Sequence, residues 1–168
     1  MPSFARFLLA LALLVIAPLT VSAQSAPNAS TDREQVLATI DTFLRGLRTK
    51  DSTLMAAQMD TLTRLTLLRP APNGGSRVVV MSGMDFIRNV TRPDQPALDE
   101  PIRNPVVQLD GDLATVWAEY QVVIDGRVSH CGHDAFHMAR LGGQWKILNV
   151  SDTFRRTGCG ERWPVSRD

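Results

Sequence analysis

Apolar residues recur at helical spacing from Val36 and Leu37 through Ile40, Phe43 and Leu44 to Leu47, a single stripe that predicts an amphipathic helix over residues 32–48. Thr31-x-x-Glu34 has the form of a capping box at its start. Asp51 or Ser52 can cap a short second helix running through Met59, after which Thr61 to Leu68, rich in Thr and Leu, reads as a strand. Pro70 and Pro72 with Asn73-Gly74-Gly75 force a turn into a returning strand, Arg77 to Met81. Ser82-x-x-Asp85 caps another short helix bearing Met84, Phe86, Ile87 and Val90, and Pro93 ends it. Pro93, Pro96, Pro101 and Pro105 hold the next stretch extended and irregular, which suits a loop over a surface or a pocket mouth.

Strands dominate the remainder. Val106 to Leu109 turns at Asp110-Gly111 into Leu113 to Ile124, Asp125-Gly126 leads into Arg127 to Arg140, and Gly142-Gly143 leads into Trp145 to Phe154. A meander of about four antiparallel strands following helices and a strand pair predicts an α+β domain with the helices packed on one face of a curved sheet. Within it, Asp110-Gly111-Asp112-x-Ala114-x-Val116 before one strand and Gly143-x-Trp145-Lys146-Ile147 opening the last are stretches that resemble the nuclear transport factor 2-like superfamily, in its SnoaL-like or lumazine-binding-like branches. The resemblance spans residues 33–155. It implies a cone-shaped, cystatin-like half-barrel with a central pocket between sheet and helices, often dimeric through the other face of the sheet. Enzymes of this type include cofactor-free isomerases, dehydratases, cyclases and epoxide hydrolases, and other members only bind. No motif carries a catalytic residue over to this chain, and fold alone does not decide between these roles.

Compartment is legible at the N-terminus. One charge, Arg6, precedes an unbroken apolar run from Phe7 to Ala17, and Val21-Ser22-Ala23 has the small residues that flank a signal-peptidase cut, so cleavage after Ala23 is expected. Pro18 interrupts a run already shorter than the roughly 20 residues of a membrane span. The expected product is about 145 residues, periplasmic or secreted and without a membrane anchor. Residues 24–31 read as a disordered leader, 32–156 as the domain and 157–168 as a C-terminal tail. The only cysteines, Cys131 and Cys159, are expected to form a disulfide in that oxidising compartment, pinning the tail to the last strands.

Lys plus Arg number 18 against 17 Asp plus Glu, a balance that argues against a nucleic-acid partner. With Asp125-Gly126 as a two-residue turn and one uninterrupted register, alternation gathers Trp117, Glu119 and Gln121 of one strand with His130, Asp134 and Phe136 of the next and with Asp152. In that arrangement His130 lies opposite Gln121, Asp134 opposite Trp117, and Asp152 diagonal to His130. A carboxylate beside an imidazole can orient it as a general base, so a His130–Asp152 pair is the candidate for proton-transfer catalysis. A structural hydrogen-bond pair in a half-buried sheet is the alternative, and a solvated face the third. Trp117, Glu119, Gln121, Asp134 and Phe136 are the candidate ligand-binding residues. His133 and His137, i and i+4 on a strand, stand about 13 Å apart, too far to share a metal ion, and no cofactor is implied. Three functions remain open at this point: a small-molecule-binding domain for an apolar ligand, a cofactor-independent isomerase, dehydratase or cyclase, and a non-catalytic dimeric interaction module.

Overall fold

A computed structural model describes residues 29–164. The expected leader peptide with its expected cleavage site, residues 24–28 and the last four residues lie outside the described residues. Helix α1 spans Ala29–Thr49, so it begins three residues before the expected position and Thr31 lies within its first turn instead of capping it. Asp32 in that turn reaches across to the guanidinium of Arg140 at 2.6 Å, tying the start of the helix to the sheet. Helix α2, Ser52–Gln58, is capped by Asp51, whose carboxylate accepts from the Leu54 N–H.

Strands β1 (Met59–Pro70) and β2 (Ser76–Ser82) form the first hairpin, and Ser82 caps α3 (Gly83–Val90) by accepting from the Asp85 N–H. Strands β3 (Ile102–Asp110), β4 (Leu113–Ile124), β5 (Arg127–Leu141) and β6 (Gln144–Asp152) complete a six-stranded sheet of order β2-β1-β6-β5-β4-β3. The meander is antiparallel throughout, as is the hairpin. The one parallel join is β1 against β6, which makes the sheet mixed. It sets the meander's last strand alongside the first strand of the hairpin.

The buried stripe of α1 (Val36, Ile40, Phe43, Leu47) packs with Met55 and Ile87 onto Leu65, Leu67, Val116, Phe136, Met138 and Ile147 of the sheet. Burial of that face is what selects the helix register, and each fully buried aliphatic or aromatic side chain contributes about 1.5 to 3 kcal/mol. The sheet has irregular register at four of its joins, between β1 and β6, β3 and β4, β4 and β5, and β5 and β6. Such bulges add local twist and bend the strands, which here wrap a curved, unclosed sheet around the helices.

Two of those irregularities correct the expected strand faces. Ile124 does pair with Arg127 across the Asp125-Gly126 turn, but Val123 pairs with Val128 and Val122 with His130, leaving Ser129 as an extra residue. The slip places Gln121 opposite Cys131, Trp117 opposite Ala135 and Ala118 opposite Asp134. A one-residue slip exchanges the faces of every later residue, so Trp117, Glu119 and Gln121 fall on the face away from the helices while His130, Asp134 and Phe136 face them. A second irregularity at Leu148 puts Ile147 and Trp145 on the core side, and Asp152 stands opposite Asp134 and not opposite Gly132, the position diagonal to His130.

The Cys131–Cys159 disulfide is present. It holds the tail against the outer face of the sheet, where Gln121 Nε2 donates to the carbonyls of Cys159 and Glu161 and Gln121 Oε1 accepts from the Trp163 N–H. Gln121 is wholly buried by this contact, so it is the tail's anchor and not a pocket residue.

Candidate functional site

Between the helices and the inner face of the sheet lies a cavity of about 150 Å³, enclosed by Phe43, Leu47 and Phe86 from the helices, Leu65 and Leu67 from β1, and Phe136 and Val150 from the meander. One end of this apolar chamber is polar. Arg69, Glu100, Tyr120, His130, Asp134 and Asp152 converge there from β1, the proline-rich segment, β4, β5 and β6.

Each is positioned by a local feature. Gly132 lies opposite Tyr120 and has no side chain to obstruct it, which lets the phenol cross to donate to the Thr153 carbonyl at 2.7 Å. Pro101 follows Glu100 and the Gln121 N–H donates to the Pro101 carbonyl, so the loop is stitched to β4 with Glu100 over the chamber. Asp152 accepts from the Arg69 guanidinium at 2.6 Å and from the Leu68 N–H at 3.2 Å.

The electrostatics divide these groups sharply. Burial is the main force on Glu100, with the Asp152 charge second, and together they push its carboxyl up to about 8. Burial also raises Asp134 well above the usual carboxylate range, and the neighbouring Glu100 and Asp152 charges add to the effect. Asp134 is 2% exposed, and its Oδ2 receives no N–H or O–H from the described residues. The Glu100 carboxyl is its neighbour at this end of the cavity, and two acids there can share a hydrogen bond only with a proton on one of them. Both shifts favour the protonated carboxyl, the form in which a carboxylic acid can donate as well as accept.

His130 is displaced in the opposite sense. Burial, and then the charges of Arg69 and Arg156, push its imidazole down to about 4. It stacks on Phe154 at 4.5 Å and meets Tyr120 edge-on at 5.9 Å, with Nδ1 3.2 Å from Ser129 Oγ. The expected His130–Asp152 pair is not formed, because Arg69 occupies the Asp152 carboxylate and its positive charge disfavours protonation of the ring. His130 is therefore a neutral wall of the pocket and not a base activated by a carboxylate.

Of the remaining expected residues, Phe136 lines the chamber and Asp134 belongs to its polar end. Trp117 and Glu119 do not. Trp117 is 49% exposed on the outer face, stacked on His133 at 5.0 Å, and Glu119 accepts from Asn104 Nδ2 there. Arg69, Glu100 and Tyr120 were missed. The four prolines that mark residues 93–105 as a loop over a pocket mouth were the available signal for Glu100, the one acid within that loop beside a proline on its C-terminal side.

No family model matches the sequence, and no curated protein matches it. Solved structures do match in shape. A protein of unknown function with a cystatin-like fold from Nostoc punctiforme superposes with a TM-score of 0.62 at 15% identity, over 77% of this chain and 95% of that one. The fold is that of the nuclear transport factor 2-like proteins. An NTF2-like protein with a cystatin-like fold from Novosphingobium aromaticivorans gives a TM-score of 0.60 at 10% identity, covering 77% and 86% of the two chains. The association domain of C. elegans CaMKII gives 0.57 at 18%, covering 73% and 95%. These likenesses are of architecture alone, and the chemistry of this domain lies in its own residues.

Proposed function

We propose that this domain binds a small, mostly apolar molecule in the cone and exchanges a proton with it through the Glu100–Asp134 pair. The observation that carries the reading is two carboxyls, Glu100 and Asp134, side by side at the polar end of an otherwise apolar chamber, where burial raises both above the usual carboxylate range. A cavity of about 150 Å³ accepts a benzene-sized group. A group with a raised pKa close to the working pH is suited to take a proton from one carbon or oxygen and return it to another. Isomerisation, dehydration and cyclisation need that step, and the chain's own residues supply it: Glu100 and Asp134 hold and move the proton, Arg69 pairs with Asp152 and opposes the upward push of burial on it, and Phe136, Phe43 and Val122 exclude water.

The test uses 2-cyclohexenone as a ring-sized carbon acid, with the protein in D2O. Wild type is expected to bind it and to catalyse deuterium uptake at the acidic carbons, and Glu100→Gln and Asp134→Asn to lower that uptake at least tenfold while still binding. Binding without uptake in wild type would remove catalysis and leave a binding domain. Absence of binding by this ketone and by benzene would remove the reading altogether.

We further propose export to the periplasm or beyond, supported by the leader pattern and by a disulfide formed from the only two cysteines. A second reading concerns the outer face of the sheet, where Val106, Leu113 and Trp117 are about half exposed. It suits a homodimer, which light scattering of wild type and Trp117→Glu would detect as a change from two chains to one.

A further inference from the structure

At the end of the cone, β1, β2 and the segment after β6 form an open shelf of about 700 Å³ around Phe154, walled by Arg69, Arg77, Arg155 and Arg156. Four guanidinium groups meet at one opening in a chain whose charges are nearly balanced. Arg69 and Arg77 are direct cross-strand partners, a position in which like charges weaken pairing. Arg69 has Asp152 as its counter-ion, but Arg77, Arg155 and Arg156 are exposed and none has a carboxylate partner among the described residues. Stability does not account for this grouping.

The shelf is also held in shape. Arg155 N–H and carbonyl both bond to Cys131, at 2.9 and 3.0 Å, and Cys131 is itself bridged to Cys159 just beyond. Two of the cations, Arg69 and Arg156, lie over the Phe154 ring at 5.2 and 5.6 Å, so the aromatic floor helps to orient them. Arg69 is a wall of both the shelf and the cone, and Phe154 touches the cone's His130. The guanidinium fork matches carboxylate, sulfate and phosphate oxygens in pairs, a geometry an ammonium does not offer.

We propose that the Arg77–Arg155–Arg156 shelf recognises an anionic group on the small molecule whose apolar end occupies the cone, so that the ligand class is an aryl or alkyl acid. The proposal rests on the reading that the cone takes a small molecule, and its test separates the two. Phenylacetate to 5-phenylvalerate, each beside its matching alcohol, are titrated into labelled protein and followed through the arginine Nε–Hε and His130 ring resonances. At least one chain length of acid is expected to bind tenfold or more tightly than its alcohol. The triple variant Arg77→Gln/Arg155→Gln/Arg156→Gln is expected to erase that difference and leave alcohol binding unchanged. Equal affinities in wild type, or a preference that survives in the variant, would overturn the shelf. If neither acids nor alcohols bind, the cone reading fails, and inorganic phosphate tests the shelf alone at constant ionic strength. Saturable shifts confined to these arginines in wild type would then sustain it as an anion site, and their absence would end it. Circular dichroism of the variant confirms that three exposed side chains were changed without unfolding.

Discussion

Asp134 and Asp152 are direct partners across β5 and β6, yet only Asp152 has a cation beside it, the Arg69 guanidinium at 2.6 Å. Asp134 lies beside Glu100 instead, and burial first, then the Glu100 charge, raises its carboxyl. Two aspartates one strand apart are thus placed differently: one is held in an ion pair, and the other is buried beside a second carboxyl, which favours its protonated form. Several measurable consequences come from that division.

Stability is expected to fall as pH rises from 6.5 to 8. Glu100, pushed up to about 8, and Asp134, also raised, bind protons in the folded state that the unfolded chain has already released. Their contribution is complete below the ordinary carboxylate range and is lost as pH rises through the folded values. His130, pushed down to about 4, opposes this only below 6.5, where the unfolded ring is protonated and the folded one is not. The slope above 6.5 is at most about 1.4 kcal/mol per pH unit for each proton. Urea titrations should show it in wild type and a flatter profile in Glu100→Gln; an equal slope in both would locate the proton elsewhere.

Arg69→Leu leaves Asp152 in the cavity wall without its counter-ion and beside two other acids. A loss of about 2 to 3 kcal/mol is expected at pH 7. At pH 4 the loss should be smaller, because Asp152, itself raised by burial, can take a proton once the guanidinium is gone. Denaturation at the two pH values measures the difference, and a loss independent of pH would indicate packing alone.

Gly132→Ala is expected to destabilise by about 3 kcal/mol or more. A Cβ there runs into the Thr153 carbonyl and comes within 2.7 Å of the Tyr120 ring. Relief requires moving backbone or the phenol, so the Tyr120 to Thr153 hydrogen bond is lost with it. Urea unfolding together with the tyrosine fluorescence of the folded state tests this, and a near-neutral substitution would show that β5 yields easily.

Removing the disulfide as Cys131→Ala/Cys159→Ala should lower stability by about 3 to 4 kcal/mol, the loop-closure contribution for its span of 28 residues. Hydrogen exchange should rise across residues 155–164, where Gln121 and the Cys131 backbone hold the tail. Exchange unchanged in that segment would mean that the hydrogen bonds hold it without the bridge.

Local chemistry in the sequence was sufficient for most of the elements. The apolar stripe of α1, the caps Asp51 and Ser82, the Asn73-Gly74-Gly75 turn and the Asp125-Gly126 hairpin each depend on a few adjacent residues, and each element is present there, with only the start of α1 three residues ahead of its expected position. The pairing of Cys131 with Cys159 was equally legible, since no other partner existed. The faces of the strands were not. One extra residue at Ser129, between strands whose pattern of apolar and polar residues tolerates either register, moved Trp117, Glu119 and Gln121 out of the pocket. What brings Arg69 to Asp152 and Glu100 to Asp134 is the parallel join of β1 to β6 and the folding of the proline-rich loop over the cone. Those contacts link residues more than 30 positions apart, and their pKa values follow from burial by the whole core. Sequence spacing carries neither quantity, so only the tertiary structure could decide which acid meets a cation and which is buried beside another acid.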